Sequence, residues 1–208
     1  HDMEIRGAGE LLGEDQSGQI ESIGFSLYMK LLERAIKAIQ DGKMPNMDTP
    51  LESISQEVNL HTSTLIPADY LPDVHGRLIL YKRIANAENR EQLDDLRSEI
   101  IDRFGGLPQS LRDLFAVTEL KLKLEPLGIV RLDLGQRSGR LEFSSQPQVD
   151  PLAVVRLVQN EPNTYKLDGA TLLRVKRTLQ DFESRLAFAN ELLDKLDGRD
   201  HQGLVANA

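Results

Sequence analysis

The chain has no cysteine, which excludes a disulfide framework, a thiolate metal site and a cysteine nucleophile, and suits a reducing cytoplasmic location. It also lacks any apolar run near the roughly 20 residues that a membrane helix needs, so no membrane association is expected. The opening residues carry no apolar core of a signal peptide. Positive charge is in deficit, with 25 Lys and Arg against 33 Asp and Glu. That balance disfavours a general grip on nucleic acid and favours partners with basic surfaces.

The motifs of catalysis are missing as well. The four histidines, His1, His61, His75 and His201, lie far apart, and none has the spacing that sets two imidazoles on one helix face, so no metal site is expected. His61 falls in an expected strand, where a lone histidine is normally a surface residue. There is no GxSxG elbow, and no calcium-binding carboxylate ladder surrounds Asp94, Asp95 or Asp102. A phosphate loop would need Gly-Lys-Ser or Gly-Lys-Thr, and Gly42-Lys43 is followed by Met44. Gly7, Gly9 and Gly13 read GxGxxxG, but no buried strand precedes them and Gly18 would break a helix after little more than one turn. No independent enzyme chemistry follows, and no cofactor for this stretch of chain.

What is present is a core's worth of apolar residues, 40% of 208, with 28% charged. One soluble globular body with an appendage is expected. From Gly24 to Gln40 the apolar residues cover an arc of about 200°, wide enough for a helix about 25 Å long lying between two bodies. Gly42, Pro45, Asn46 and Pro50 then read as a stop and a linker, placing a boundary near residue 50. Beyond it, Ser53 to Leu65 reads as a strand. Helices are expected over 73–87 (with Val74, Leu78, Tyr81, Ile84 and Ala85 inward), over 86–104 (with Leu93, Leu96, Ile100 and Phe104 inward), and from Pro108 to about Leu124, ended by Pro126. Residues 129–134 and 140–143 form an expected hairpin, Pro151 starts a helix through Val158, and Tyr165 to Leu167 suggests a short strand. A long helix is expected from Ala170 to Leu196, where Leu172, Val175, Leu179, Phe182, Leu186, Ala189, Leu193 and Leu196 follow a heptad seam that either dimerises or packs on the chain's own core. The expected class is α+β, helices on a small, mostly antiparallel sheet preceded by a long linking helix, with residues 1–50, 51–197 and a frayed tail 198–208 as its parts.

One charged feature stands out. Asp95, Glu99 and Asp102 project within about 60° of each other, roughly opposite the apolar stripe of their helix. They form either a plain solvated face or a docking surface for arginine-rich partners.

Two stretches carry a family resemblance. HDMEIRGAGELLGEDQSGQIESIGFSLYMKLLERA resembles the end of the translocation motif and the following helix of the bacterial transcription-repair coupling factor family. Its IRGAGELLGEDQSG part is similar in outline to the RecG branch-migration helicases. LPDVHGRLILYKRIANAENREQLDDLRSEIIDRFGGLP resembles the coupling factors' C-terminal domain, which has no such counterpart in RecG, so the likeness covers nearly the whole chain. It implies a part of an ATP- and Mg-dependent translocase on double-stranded DNA that displaces stalled RNA polymerase and recruits UvrA, without the motor domains.

The motif positions are Arg6, Gly7, Gly9, Glu10, Gly13, Gln16, Ser17 and Gly18. In the family these couple ATP hydrolysis to movement, with glycines permitting tight turns and Arg6 and Gln16 as polar levers. The resemblance further implies that the region after residue 50 masks the UvrA-binding surface of an N-terminal UvrB-like module; that Asp95, Glu99 and Asp102 form part of the contact is an expectation from their shared helix face. The chain itself is expected to be monomeric. Two alternatives stand beside this reading: a DNA-binding module built on Lys82, Arg83, Lys121, Lys123, Arg174, Lys176 and Arg177, and a self-associating module built on the heptad seam.

Overall fold

The structure, a computed structural model, describes residues 56–198. The expected linking helix, the linker and most of the tail lie outside those residues. Contacts divide the chain into two compact units, whose described parts are 62–118 and, for the second, 56–61 with 119–198. The class is α+β, as expected.

The first unit is helical. Helix α1, Val74–Ala85, begins where the Asp73 carboxylate accepts from the backbone N–H groups of His75 and Gly76 at 3.3 and 3.1 Å. That satisfies donors a helix start leaves without partners. One turn in, the buried Arg77 reaches back and donates through Nη1 to the carbonyls of Leu71 and Pro72, at 2.7 and 3.2 Å. The inward stripe of α1 is Arg77, Leu80, Tyr81 and Ile84, turned from the expected one: Val74 and Leu78 are only half-buried. Tyr81 settles the rotation, because its buried hydroxyl accepts from the Ile66 N–H at 2.6 Å.

Helix α2, Arg90–Phe104, starts on an Asn89 cap and ends at Gly105, whose φ of 91° suits a residue without a side chain. Leu93, Leu96 and Ile100 are buried as expected, each contributing about 1.5–3 kcal/mol by leaving water. Phe104 is half-buried against Tyr70, with ring centroids 6.0 Å apart. Helix α3, Gln109–Leu127, contributes its first half to this unit and its second half to the other. It runs past the expected stop because Pro126 sits in its last turn, where only one ladder bond is forfeited.

The second unit is built on a five-stranded sheet in the order β1-β2-β3-β5-β4. Strand β1 is Glu57–Asn59, β2 is Ile129–Leu134, β3 is Ser138–Phe143, β4 is Tyr165–Asp168 and β5 is Leu172–Lys176. The β1 strand is much shorter than the expected 53–65 and pairs parallel to β2; every other pairing is antiparallel. Helices α4, Pro151–Asn160, and α5, Phe182–Asp197, complete the unit. Leu132, Leu134, Leu141 and Leu173 on the sheet and Ala189 and Leu196 on α5 are fully buried.

The single long helix expected over 170–196 is not formed. Residues 172–176 make β5, and the helix starts only at Phe182. Along β5 the side chains alternate, Leu173 and Val175 buried and Arg174 and Lys176 exposed, which is strand periodicity. Gly169, at φ 72°, turns the chain from β4 into β5. A capping box then sets the start of α5: the Asp181 carboxylate accepts from the Ser184 N–H at 2.7 Å, and the Asp181 N–H donates to the Ser184 hydroxyl at 3.3 Å. The heptad spacing across residues 172–182 was a coincidence of leucine positions.

Candidate functional site

The acidic residues of α2 do share a face, and the structure differentiates them. Asp95 and Asp102 are exposed, while Glu99 is half-buried. Its Oε2 lies 2.6 Å from Arg83 Nη1 of α1. Arg83, Asn86, Asp95 and Glu99 border one shallow groove. Asp94, one residue over, is matched by Arg97 at 2.8 Å, and that guanidinium also stacks over the Phe115 ring at 4.9 Å. On this face Asp95 and Asp102 make no ion pair among the described residues. Arg83, grouped on sequence with a possible DNA-binding set, is the neighbour that neutralises Glu99. No signal within α2 could have revealed it, because the pairing depends on how α1 and α2 pack.

The other expected cations are divided between the two units. Lys82 and Arg83 belong to the first unit. Lys123 donates to Asn190 Oδ1 at 2.7 Å, and the Arg177 guanidinium lies over the Phe188 ring at 5.2 Å. Arg174 and Lys176 lie on β5, whose outward side adjoins cations that the sequence reading did not single out.

His61 lies just past β1, not within a strand, at φ 54°. Its Nε2 is 2.7 Å from Asp133 Oδ1, and its N–H donates to Asn59 Oδ1 at 2.9 Å. The pair ties the chain just past β1 to β2. Among the described residues no group of three or more His, Asp or Glu is placed to hold a metal ion. No helix among them is long and apolar enough to cross a membrane.

Burial raises the Tyr70 hydroxyl above its ordinary value, and ionisation is shifted in three further places. Burial pushes the Glu57 carboxyl above its ordinary range, and Arg131, 3.4 Å away, partly offsets this. Burial drives Tyr165 up to about 12. The backbone hydrogen bond from Ser184 holds Asp181 below the usual carboxylate range. Burial and the helix cap account for these shifts.

The motif residues Arg6, Gly7, Gly9, Glu10, Gly13, Gln16, Ser17 and Gly18 lie outside the described residues, so the candidate surface within them is the acidic face of α2.

Comparison with known proteins bears on both stretches. The model of the TRCF domain matches residues 60–154. The transcription-repair-coupling factor of Haemophilus influenzae is 49% identical over 193 residues, 93% of this chain and 17% of that protein. That of Escherichia coli K12 is 42% identical over 197 residues, 95% of this chain and again 17% of the relative. A crystal structure of the C-terminal domain of transcription-repair coupling factor aligns with a TM-score of 0.55 at 21% identity, covering 70% of this chain and 96% of that one. This last likeness speaks for the fold alone. The chain thus spans about a sixth of the length of these two relatives, and with identities of 49% and 42% over more than nine-tenths of its own length it belongs to the transcription-repair-coupling factor family.

Proposed function

We propose that this chain is a regulatory part of a transcription-repair-coupling factor, without catalysis of its own. In the whole protein it holds an N-terminal UvrB-like module and masks that module's UvrA-binding surface. The observation that carries the reading is 49% identity over 93% of the chain to a protein named for coupling transcription to repair. The motif from Arg6 to Gly18 serves the motor, coupling ATP hydrolysis, with Mg, to movement on double-stranded DNA and against RNA polymerase. The contact surface is the α2 face, with Asp95 and Asp102 as the charges that meet basic residues and Glu99 orienting Arg83 beside them. Exposed ion pairs contribute only about 0.2–1 kcal/mol each, which suits a contact that must open.

The test is calorimetric titration of the chain against the UvrB-like module at low and moderate salt. Salt-weakened binding is expected, with a loss of roughly tenfold for Asp95→Lys together with Asp102→Lys. Undiminished binding by that variant would sink the α2 assignment, and UvrA binding by the whole protein that ignores the substitutions would sink the masking role.

A further inference from the structure

The outward face of the sheet in the second unit carries a charge pattern that the acidic helix does not explain. Register places Arg140 of β3 opposite Arg174 of β5, and Arg174 opposite Lys166 of β4. Like charges directly opposite one another destabilise a sheet, yet here three stand side by side on adjacent strands, about 4.8 Å apart. Arg174 has a partner, Asp168 Oδ2 at 2.6 Å. Arg140 and Lys166 make no ion pair among the described residues.

Further along the same strands, Lys176 lies opposite Ser138. With Arg137 these cations border an open concavity of about 750 Å³, whose only carboxylate is Asp133. That carboxylate is already engaged by His61 Nε2 at 2.7 Å. Five cations thus border the concavity, Arg174 already paired with Asp168, on a chain whose net charge is −8. On its other side Arg140 stands opposite Asp133 of β2.

We propose that this face binds the phosphodiester backbone of double-stranded nucleic acid without reading its sequence. Cations interspersed with hydroxyl and amide donors, here Ser138, Asn163 and Thr164, are the side chains that contact phosphate oxygens. The one aromatic bordering the concavity, Tyr165, is only 2% exposed. The surface therefore offers no stacking platform for unpaired bases. It also offers no aromatic anchor of the kind that dominates protein contacts. This surface lies in the second unit, away in sequence from α2, so it can serve a different stage of action from the acidic contact.

The experiment is fluorescence anisotropy of a labelled DNA duplex titrated with the full 208-residue chain over a salt series, beside the Arg140→Gln, Lys166→Gln, Lys176→Gln triple variant. Binding is expected to weaken steeply with salt, each phosphate contact adding about 0.9 to the log–log slope, and the triple variant is expected to lose two to three such contacts, roughly 2–3 in slope. Should the triple variant fail to fold by circular dichroism, Lys166→Gln alone is expected to lower the slope by about 0.9. No duplex binding at low salt would overturn the proposal, as would a folded variant that binds like the parent chain. Binding of poly-glutamate but not of duplex would overturn it in favour of an acidic protein partner.

Discussion

Arginine and aspartate are combined twice in the same way. Leu71, Asp73 and Arg77 recur at the same spacing as Leu179, Asp181 and Arg185. In both, the aspartate caps a helix and the buried arginine donates to the two carbonyls just ahead of the cap, for Arg185 those of Leu179 and Gln180 at 3.0 and 3.3 Å. The caps are local, spanning three residues each, yet the expected helix over 170–196 ran through Asp181; the arginine's role was not legible, because a charged residue on an apolar stripe gives no sign that backbone carbonyls await it. Tyr165 shows burial acting on a single proton. Its hydroxyl holds its proton up to about 12 when folded, against roughly 10 when unfolded. The folded state thus binds this proton more tightly, so the associated stability is intact below about pH 10 and is lost as pH rises from 10 through 12. Tyr70 is also raised by burial, so phenolate absorbance measured against pH should show more than one late ionisation, and Tyr165→Phe should abolish the step at about 12. A step at about 12 that survives the substitution would assign the shift elsewhere.

Elements were read well where one helix face or one hairpin set them and poorly where strands pair at a distance. The β2–β3 hairpin was expected from alternation on both sides of a glycine-bearing turn, and it forms. Gly139, opposite Leu134 in that hairpin, is required by close approach: a Cβ there would lie 2.5 Å from the Asp133 carbonyl oxygen and 2.6 Å from Leu134 Cδ2. Gly139→Ala is accordingly expected to cost about 1–3 kcal/mol, read as a lower urea midpoint with an unchanged slope; an unchanged midpoint would mean the hairpin yields without cost. The β4–β5 pair was missed although Asp168-Gly169 is a recognised hairpin signal. Leucines at 172, 179, 186, 193 and 196 fit helical spacing well enough to hide the alternation of 173 to 176. The Asp181 to Ser184 box was the local evidence against a continuous helix. For Asp181 the depressed carboxyl contributes stability above its unfolded pKa, and this is lost as pH falls through the folded value.

For the whole molecule, the heptad seam no longer supports self-association. Its first members lie in β5, and Ala189, Leu193 and Leu196 are 0–2% exposed within their own unit. Light scattering at rising concentration should therefore report a monomer, and a concentration-dependent dimer would show that another surface joins copies of the chain. The candidate contact face was half legible: spacing alone put Asp95, Glu99 and Asp102 on one side of α2, while their difference in free charge arose from Arg83 on another helix. By itself the sequence determined the family, the absence of familiar catalytic motifs, most helix starts and the inward stripe of α2, because motifs, caps and helical faces are set by residues within a turn or two of each other. Only the tertiary structure decided that 172–176 is a strand, that Glu99 is neutralised, and that Arg140, Arg174 and Lys166 stand in one row. Those outcomes depend on which distant segments become neighbours, and cross-strand register is chosen by burial of the whole sheet face at once.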